Sequence, residues 1–574
     1  MKKHSHPLSH SVDIGPSAEY LELGSRASLD DGSRYDSPGS TSNYTGAAAE
    51  TQTRAEADKI NELDMNMPLG KAMKKYNKIV RYCLFICIPI TAWGYSLLLT
   101  GAVNGADSFK KDYGAKYKDE WIIPKTWMSL WMAMSPAGSG IGALVGGFLQ
   151  DRIGRRWTLM VGSVISALGV TGIFFSFLPP EVMGKRIMYS AGMFLQGMSV
   201  GMLQATCSTW VSENAPVALQ GPAMAIFPTF GLLGQLLGSL SLVAVNMVEG
   251  RAGYASAFAA EWLLAASAFI LSWFIPDSPI FLLRKGRDAD AMKAAKRLYA
   301  PKVSQSVAIE RFRNIVEEER SWASNATYLS CFRRKNLRRT MITLLAAIMP
   351  SLFGLDLLQT ANVFLETVGM DPMTAAIVLS GGIVAGMISN GTGIWTLSRM
   401  GVRRTTMVTL CVTAILWAGM GSLGFFKGDA IPWVVSGFMI AIIISLGLGV
   451  WPASFAYIGQ TSSMQLRAVS TSLAGTAAQV CSAIVAFILP QLFNKDGLYL
   501  GAKTAFFYTG TCLIAVMLAF FFLPEMKGRT VADLDSMFAM RMPTRQFKYY
   551  KVDEKVLEDD KIPLVDQSYS RVPV

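Results

Sequence analysis

The sequence predicts an all-α integral membrane protein of twelve spanning helices, arranged as two similar six-helix halves. Three observations carry this. Apolar runs of about 20 residues recur along most of the chain. Of its 574 residues 51% are hydrophobic and 16% charged, where a soluble protein carries about a quarter charged, and the mean hydropathy is +0.33. Loop residues of the first half also return in the second at a nearly constant offset.

Residues 1–70 are rich in Ser, Asp, Gly and Ala without an apolar period, which reads as a disordered tail. The first apolar run begins near Ile79, so no cleavable signal peptide is expected. Lys71, Lys74, Lys75, Lys78 and Arg81 precede that run and place the N-terminus in the cytoplasm. An N-terminal bundle over 71–275 is expected to hold spans at about 79–103, 127–148, 157–178, 187–209, 222–245 and 257–275. The polar segment 276–339, crowded with Arg and Lys, reads as a cytoplasmic linker with short helices. A C-terminal bundle over 340–525 follows, with spans at about 340–362, 373–395, 405–425, 431–450, 468–491 and 503–523. Residues 526–574 form a second tail, and an even number of spans puts both termini in the cytoplasm. Arg152, Arg155 and Arg156 in one loop and Arg399, Arg403 and Arg404 in another agree with that topology. The 104–125 loop holds Lys110, Lys111, Lys116 and Lys118, but Asp112, Asp119 and Glu120 are interleaved with them and the topology stands.

The net charge of +12 arises from this clustering beside apolar runs and does not point to nucleic acid. The seven cysteines are scattered, and all but Cys331 fall in apolar runs; they form neither a disulfide framework nor a zinc pattern and read as small core residues. The three histidines, His4, His6 and His10, lie in the N-terminal tail. With no metal cluster, nucleophile motif or phosphate loop, an enzyme is not expected and no cofactor is called for. Gly138-Ser139-Gly140-Ile141-Gly142 lies in an apolar span and reads as close helix packing, and the 31 methionines as ordinary packing. The sequons Asn43-Tyr44-Thr45 and Asn325-Ala326-Thr327 fall on the cytoplasmic side and should be unused.

The internal repeat is specific. Gly154 pairs with Gly401, Trp210 with Tyr457, Glu213 with Gln460, Leu219 with Leu466 and Gln220 with Arg467, all 247 residues apart. Pro276-Asp277 and Pro524-Glu525 recur 248 apart. Two copies of one six-helix unit side by side account for this.

These residues carry a family resemblance. Asp151-Arg152-Ile153-Gly154-Arg155-Arg156 resembles the loop between the second and third helices of major facilitator superfamily transporters. Glu213-Asn214-Ala215-Pro216, Pro276-Asp277-Ser278-Pro279 and Pro524-Glu525-Met526-Lys527-Gly528-Arg529-Thr530, with Asp533-Leu534-Asp535 and Phe538 after it, resemble its sugar porter family. Cys331-Phe332-Arg333, Leu337-Arg338-Arg339-Thr340, Gly501-Ala502-Lys503-Thr504-Ala505-Phe506-Phe507 and Arg545-Gln546-Phe547-Lys548 resemble fungal maltose and α-glucoside permeases. The resemblance spans roughly residues 65–553 and implies the twelve-helix major facilitator fold, a site between the halves, and a sugar or similar polyhydroxylated solute entering a fungal cell by alternating access.

The resemblance also implies site residues. Gly234-Gln235-Leu236-Leu237 keeps the fifth-helix glutamine that contacts sugar in that family. Phe455 stands on the tenth helix where many sugar porters have Trp, and Gln479 on the eleventh can face the cavity. The seventh helix departs: around Gly354 the chain offers Pro350, Ser351 and Asp356 in place of glutamines and an asparagine. Gly94-Tyr95 is followed by Ser96 where proton-coupled members carry an acid. Asp356 and Glu261 are the acids left within or beside spans. A carboxylate there costs several kcal/mol unless paired, protonated or facing water, so both are candidate proton sites and Asp356 also a candidate substrate ligand. The bland alternatives are a structural hydrogen bond for Asp356 and contact with the outer interface for Glu261. Asp151, Arg155, Arg156, Glu213, Asp277, Arg403 and Arg467 are expected to gate the cytoplasmic side by ion pairs that break as the halves rock; the alternative is that the arginines only anchor topology. Gln220, Gln460 and Ile280 depart from the family's charged pattern.

The reading is a multi-pass transporter, in the plasma membrane and working as a monomer, whose partners are a small polar solute (a maltose/α-glucoside- or hexose-like sugar), protons if it is a symporter, and the lipid bilayer. Two alternatives stay open: an exporter of a small polar secondary metabolite, and a sugar-sensing receptor of the same fold. The lost glutamines and Ser96 suit the sensor, while the short tail of 36 residues after Phe538 does not.

Overall fold

The computed structural model describes residues 67, 69–248, 250–301, 305–323, 328–461, 466–526, 534, 537–538 and 540–548. Both sequons, most of the N-terminal tail, residues 527–533 and 535, and the last residues of the chain lie outside these. The side chains of Gln220, Gln460, Arg467 and Arg545 lie outside them as well.

In chain order the elements are α1 (Leu69–Lys75), α2 (Asn77–Ala102), α3 (Asp107–Tyr113), strands β1 (Ala115–Tyr117) and β2 (Glu120–Ile122), then α4 (Lys125–Ile153), α5 (Arg155–Phe174), α6 (Val182–Asn214), α7 (Val217–Met247) and α8 (Arg251–Phe274). Next come the short α9 (Pro279–Arg284), α10 (Asp288–Tyr299), α11 (Gln305–Ala323) and α12 (Tyr328–Cys331). The second half holds α13 (Leu337–Leu352), α14 (Leu355–Gln359), α15 (Ala361–Val368), α16 (Pro372–Met400), α17 (Val402–Leu423), α18 (Ile431–Leu448), α19 (Val450–Thr461), α20 (Arg467–Phe493) and α21 (Ala505–Phe522).

Ten helical stretches among the described residues are long and apolar enough to cross a membrane. The two other expected spans take different forms. The fourth is the continuous 33-residue α6, whose Lys185, Arg186, Gln196, Gln204 and Glu213 lower its hydropathy. The seventh, expected as one helix over 340–362, is broken into α13, α14 and α15. The break sits at Gly354, whose φ of +101° ends α13, and a side chain there would collide with the Trp417 ring. The carbonyls freed by the break are taken by distant side chains: Trp417 Nε1 donates to Phe353 O at 3.0 Å and Thr511 Oγ1 to Leu352 O at 2.7 Å. The tenth span is longer than its expected 431–450. It kinks at Gly449, which packs on Thr409, and continues as α19, where Pro452 falls in the first turn and costs no hydrogen bond.

The chain forms two compact units, one within Met1–Thr100 and Met134–Asn325, the other within Gly101–Ala133 and Ala326–Val574. In unit 1, α4 and α6 cross at backbone contact: a Cβ on Gly142 would strike Met198 O, and one on Gly201 would strike Ser139 O. The Gly138–Gly142 stretch is thus a helix-packing surface. At one end of the bundle Trp210, Phe281, Leu282, Leu298, Tyr299 and Phe312 form a buried cluster that fixes α9, α10 and α11. Arg297 Nη2 donates to Phe274 O at 2.8 Å and Tyr299 Oη to Asn214 O at 2.9 Å, so residues 279–299 are tied to the ends of α6 and α8.

Unit 2 includes the segment 101–133, although α2 and α4 continue from it into unit 1. Its hairpin turns at Lys118 and Asp119, both at positive φ as a two-residue hairpin requires, with Tyr117 opposite Glu120. Behind it Phe109 stacks on Tyr113, and Trp131 meets both rings edge-on.

Candidate functional site

Asp356 lies one residue past the start of α14, so the break in the seventh span delivers its carboxylate into the interior of unit 2, where the residue is 6% exposed. Ser482 of α20 donates to Asp356 Oδ1 at 2.6 Å, and the Ser351 hydroxyl of α13 lies beside the same carboxylate. Oδ2 makes no hydrogen bond of ordinary geometry. The buried Tyr508 hydroxyl of α21 lies near it and is likewise without such a bond, its ring stacked on Trp417 with centroids 5.0 Å apart. A carboxylate free on one oxygen among hydroxyls can accept from a polyol or hold a proton. Among the described residues no ion pair involves Asp356.

The other predicted ligands fall in both units. Gln235 of α7 is buried in unit 1, next to the crossing where Gly94 of α2 meets Gly231 O. Gln479 is half-buried on α20, three residues before Ser482 and so on an adjoining face. Phe455 of α19 is 49% exposed. Glu261 lies mid-helix on α8, 3% exposed, facing Ser96 of α2.

The predicted gating residues of unit 1 do assemble. Arg155, 1% exposed, donates from Nη2 to Glu213 Oε1 at 2.6 Å and Asp151 Oδ1 at 3.3 Å, and from Nη1 to Gln150 O at 2.9 Å. Asp277 Oδ1 accepts from the backbone N–H groups of Arg155 at 2.9 Å and Ser278 at 3.0 Å. Burial raises the Asp277 carboxyl above its usual range, against the pull of these N–H groups. Arg156 instead lies over the Trp273 ring. In unit 2 the same frame recurs: Glu525 Oε1 accepts from the N–H groups of Val402 and Met526, each at 3.1 Å, and Arg403 Nη2 donates to Phe520 O at 2.8 Å.

Sequence reasoning missed Ser482, Tyr508 and the Ser96–Gln196 contact. A serine or tyrosine in an apolar run carries no motif, and the register of Gln479 on the eleventh span was the nearest signal.

A family model described as "Sugar (and other) transporter" matches residues 82–538. The MFS transporter fmqE of Aspergillus fumigatus is 27% identical over 525 residues, 88% of this chain and 95% of that one. The maltose permease MAL61 of Saccharomyces cerevisiae is 25% identical over 508 residues, 87% of this chain and 82% of that one. Among solved structures, the major facilitator superfamily proton:xylose symporter XylE bound to 6-bromo-6-deoxy-D-glucose is similar at a TM-score of 0.64 and 17% identity, with 81% of this chain and all of that chain covered. At that identity the likeness is one of fold.

Proposed function

We propose that this chain, which belongs to the Sugar (and other) transporter family, carries a maltose-, α-glucoside- or hexose-like sugar across the membrane by alternating access. It is a multi-pass membrane transporter with the twelve-helix major facilitator fold, not an enzyme. The observation that carries the substrate reading is the Asp356 cluster. A buried carboxylate with one open oxygen, flanked by Ser482, Ser351 and Tyr508, is a set of acceptors and donors suited to sugar hydroxyls. The likeness to a maltose permease over 87% of the chain supports the same class. The Arg155–Glu213–Asp277 cluster is the proposed gating element on the cytoplasmic side. The plasma membrane, with both termini inside, is the proposed setting.

The test is uptake of labelled maltose and glucose by purified protein in vesicles, with and without an inward proton gradient, for the wild type and Asp356→Asn. Gradient-stimulated uptake that is lost in the variant makes Asp356 a coupling site. Uptake indifferent to the gradient makes the protein a facilitator, with Asp356 as a sugar ligand. Absence of uptake of either sugar overturns the sugar reading and leaves the metabolite exporter and the sensor.

A further inference from the structure

We propose that Thr544 is a phosphorylation site whose phosphate is received by Arg338, so that modification fastens the C-terminal segment 537–548 onto the start of α13. Only a consequence for transport rests on the reading above; the modification and its receptor do not.

Two stretches that stand out in the sequence, Leu337-Arg338-Arg339-Thr340 and Arg545-Gln546-Phe547-Lys548, are brought together here within unit 2. The C-terminal segment turns back on itself. Arg541, at a φ of +52°, closes the helical turn of Met537 and Phe538: its N–H donates to Phe538 O at 3.0 Å, and Met542 N to Met537 O at 3.2 Å. The return brings the fully buried Phe547 edge-on to Phe538, with centroids 5.1 Å apart. Arg338 lies over both rings, 5.4 Å from Phe538 and 5.6 Å from Phe547. Its fork closes on the bend between them. Nη1 donates to Met542 O at 2.6 Å and Nη2 to Thr544 Oγ1 at 2.8 Å.

Both acceptors are neutral. Among the described residues no ion pair involves Arg338. A guanidinium stays charged, and this half-buried one is aimed at a carbonyl and a hydroxyl, without the anion that its planar fork fits best. A phosphate on Thr544 Oγ1 puts a charge of about −1.5 to −2 and three strong acceptor oxygens at that fork. Arg339, 4.6 Å from the Phe538 ring, adds a second cation to the cluster.

Access singles out the same residue. Four described serines and threonines have an arginine three positions before them, the spacing that basophilic protein kinases select: Thr158, Thr406, Ser470 and Thr544. Thr158 and Thr406 are 0% exposed and Ser470 5%. Thr544 alone of the four is half-buried, and Arg541 and Pro543 before it are exposed. It opens a single 3-10 turn, Thr544–Lys548, pinned by the Arg338 fork and the Phe547 ring, so the segment can lift into an enzyme's cleft by breaking those contacts. The step moves the terminal phosphoryl group of a nucleoside triphosphate to Thr544 Oγ1. The phosphoanhydride O–P bond breaks, the Oγ1–P bond forms, the hydroxyl proton goes to the kinase's base, and the nucleoside diphosphate leaves. On returning, the segment gains charge-assisted hydrogen bonds to Arg338. The helix it then grips, α13, runs to the break at Gly354 beside Asp356.

The test uses the full-length protein in lipid nanodiscs, both faces open to an added basophilic kinase with magnesium and ATP. Mass spectrometry locates the phosphate, and hydrogen exchange over residues 537–548 is read before and after. Phosphate should appear on Thr544 and be missing there in Thr544→Val. Exchange over 537–548 should slow about tenfold or more, the worth of one hydrogen bond between charged groups. Arg338→Gln should take the phosphate but lose the slowing, and Arg338→Lys, a charge without the fork, should keep part of it. An unmodified Thr544 overturns the proposal, as does exchange that quickens on phosphorylation, or a slowing of equal size in wild type, Arg338→Lys and Arg338→Gln. These readouts need no cargo. The site therefore stands if sugar uptake fails, and the sugar reading stands if the site fails.

Discussion

Arg155 and Glu213 show how a buried cation is held by an enclosed carboxylate. Arg155 is always charged, so its burial at 1% exposure requires acceptors, and Glu213, Asp151 and Gln150 O supply them. The three are not equal. Glu213 is itself buried at 2.6 Å, whereas the Asp151 side chain is 66% exposed and screened by water. Glu213→Gln should therefore cost about 3 kcal/mol of unfolding free energy, the loss typical when a buried pair loses one partner. Asp151→Asn should cost less than about 1 kcal/mol. Denaturant titration of the detergent-solubilised protein distinguishes them, and equal losses would mean that Glu213 is no anchor. These residues were legible in the sequence because short loop motifs with charged side chains betray them. The partners of Asp356 were not, since Ser482 reaches it only through the register of α20 against a broken helix.

At the scale of the element, the segment between the first two long helices behaves as a strap on unit 2. Asn362 Nδ2 donates to Ala102 O at 2.9 Å, Asn494 Nδ2 to Ile123 O at 2.8 Å, and Lys125 N to Asp496 Oδ2 at 2.8 Å, while Lys495 pairs with Glu120. Its most enclosed ion pair is Lys110 Nζ with Glu366 Oε2 at 2.9 Å. The sequence showed here a loop of mixed charge; it gave no sign of which groups the charges meet, because those lie some 250 to 370 residues away. Burial raises the Glu366 carboxyl from 4.5 to about 7, although Lys110 opposes the shift. A group with a raised value in the docked strap binds its proton more tightly there than when undocked. Docking is thus strongest at acid pH, weakens as pH rises from about 4.5 towards about 7, and is constant above that. Hydrogen-exchange protection of residues 103–124, corrected for intrinsic rates, should fall over that window. Glu366→Gln should hold it at the acid level throughout. Protection that instead rises with pH would mean that the Lys110 ion pair, not burial, governs the strap.

Across the whole molecule the repeat seen in the sequence is a repeat of hydrogen bonds. Thr158 Oγ1 donates to Gly154 O at 2.7 Å, and Thr405 Oγ1, 247 residues later, to Gly401 O at 2.8 Å. Gly154 and Gly401 have φ of +98° and +89°, with Asp277 and Glu525 against them. Trp210 Nε1 donates to Pro276 O at 2.9 Å, and Tyr457 Oη to Pro524 O at 3.1 Å. A tryptophan and a tyrosine thus do one job, which explains why they stand at matching positions despite different chemistry. Hydropathy and this offset made the two-copy fold legible. The break at Gly354 was not, because a helix can be interrupted there only where Trp417 and Thr511 take up the freed carbonyls, and that is a property of the packed bundle. The equivalence has a measurable consequence. Trp210→Phe and Tyr457→Phe each remove one buried hydrogen bond and leave a proline carbonyl bare, which should cost about 1–3 kcal/mol apiece, more for the tryptophan because volume is lost as well. The two sites share no partner and lie in different units, so the double variant should show the sum within about 0.5 kcal/mol. A coupling well beyond that, measured by a double-mutant cycle on denaturant unfolding, would mean that the two copies of the motif do not act as independent anchors of their own bundles.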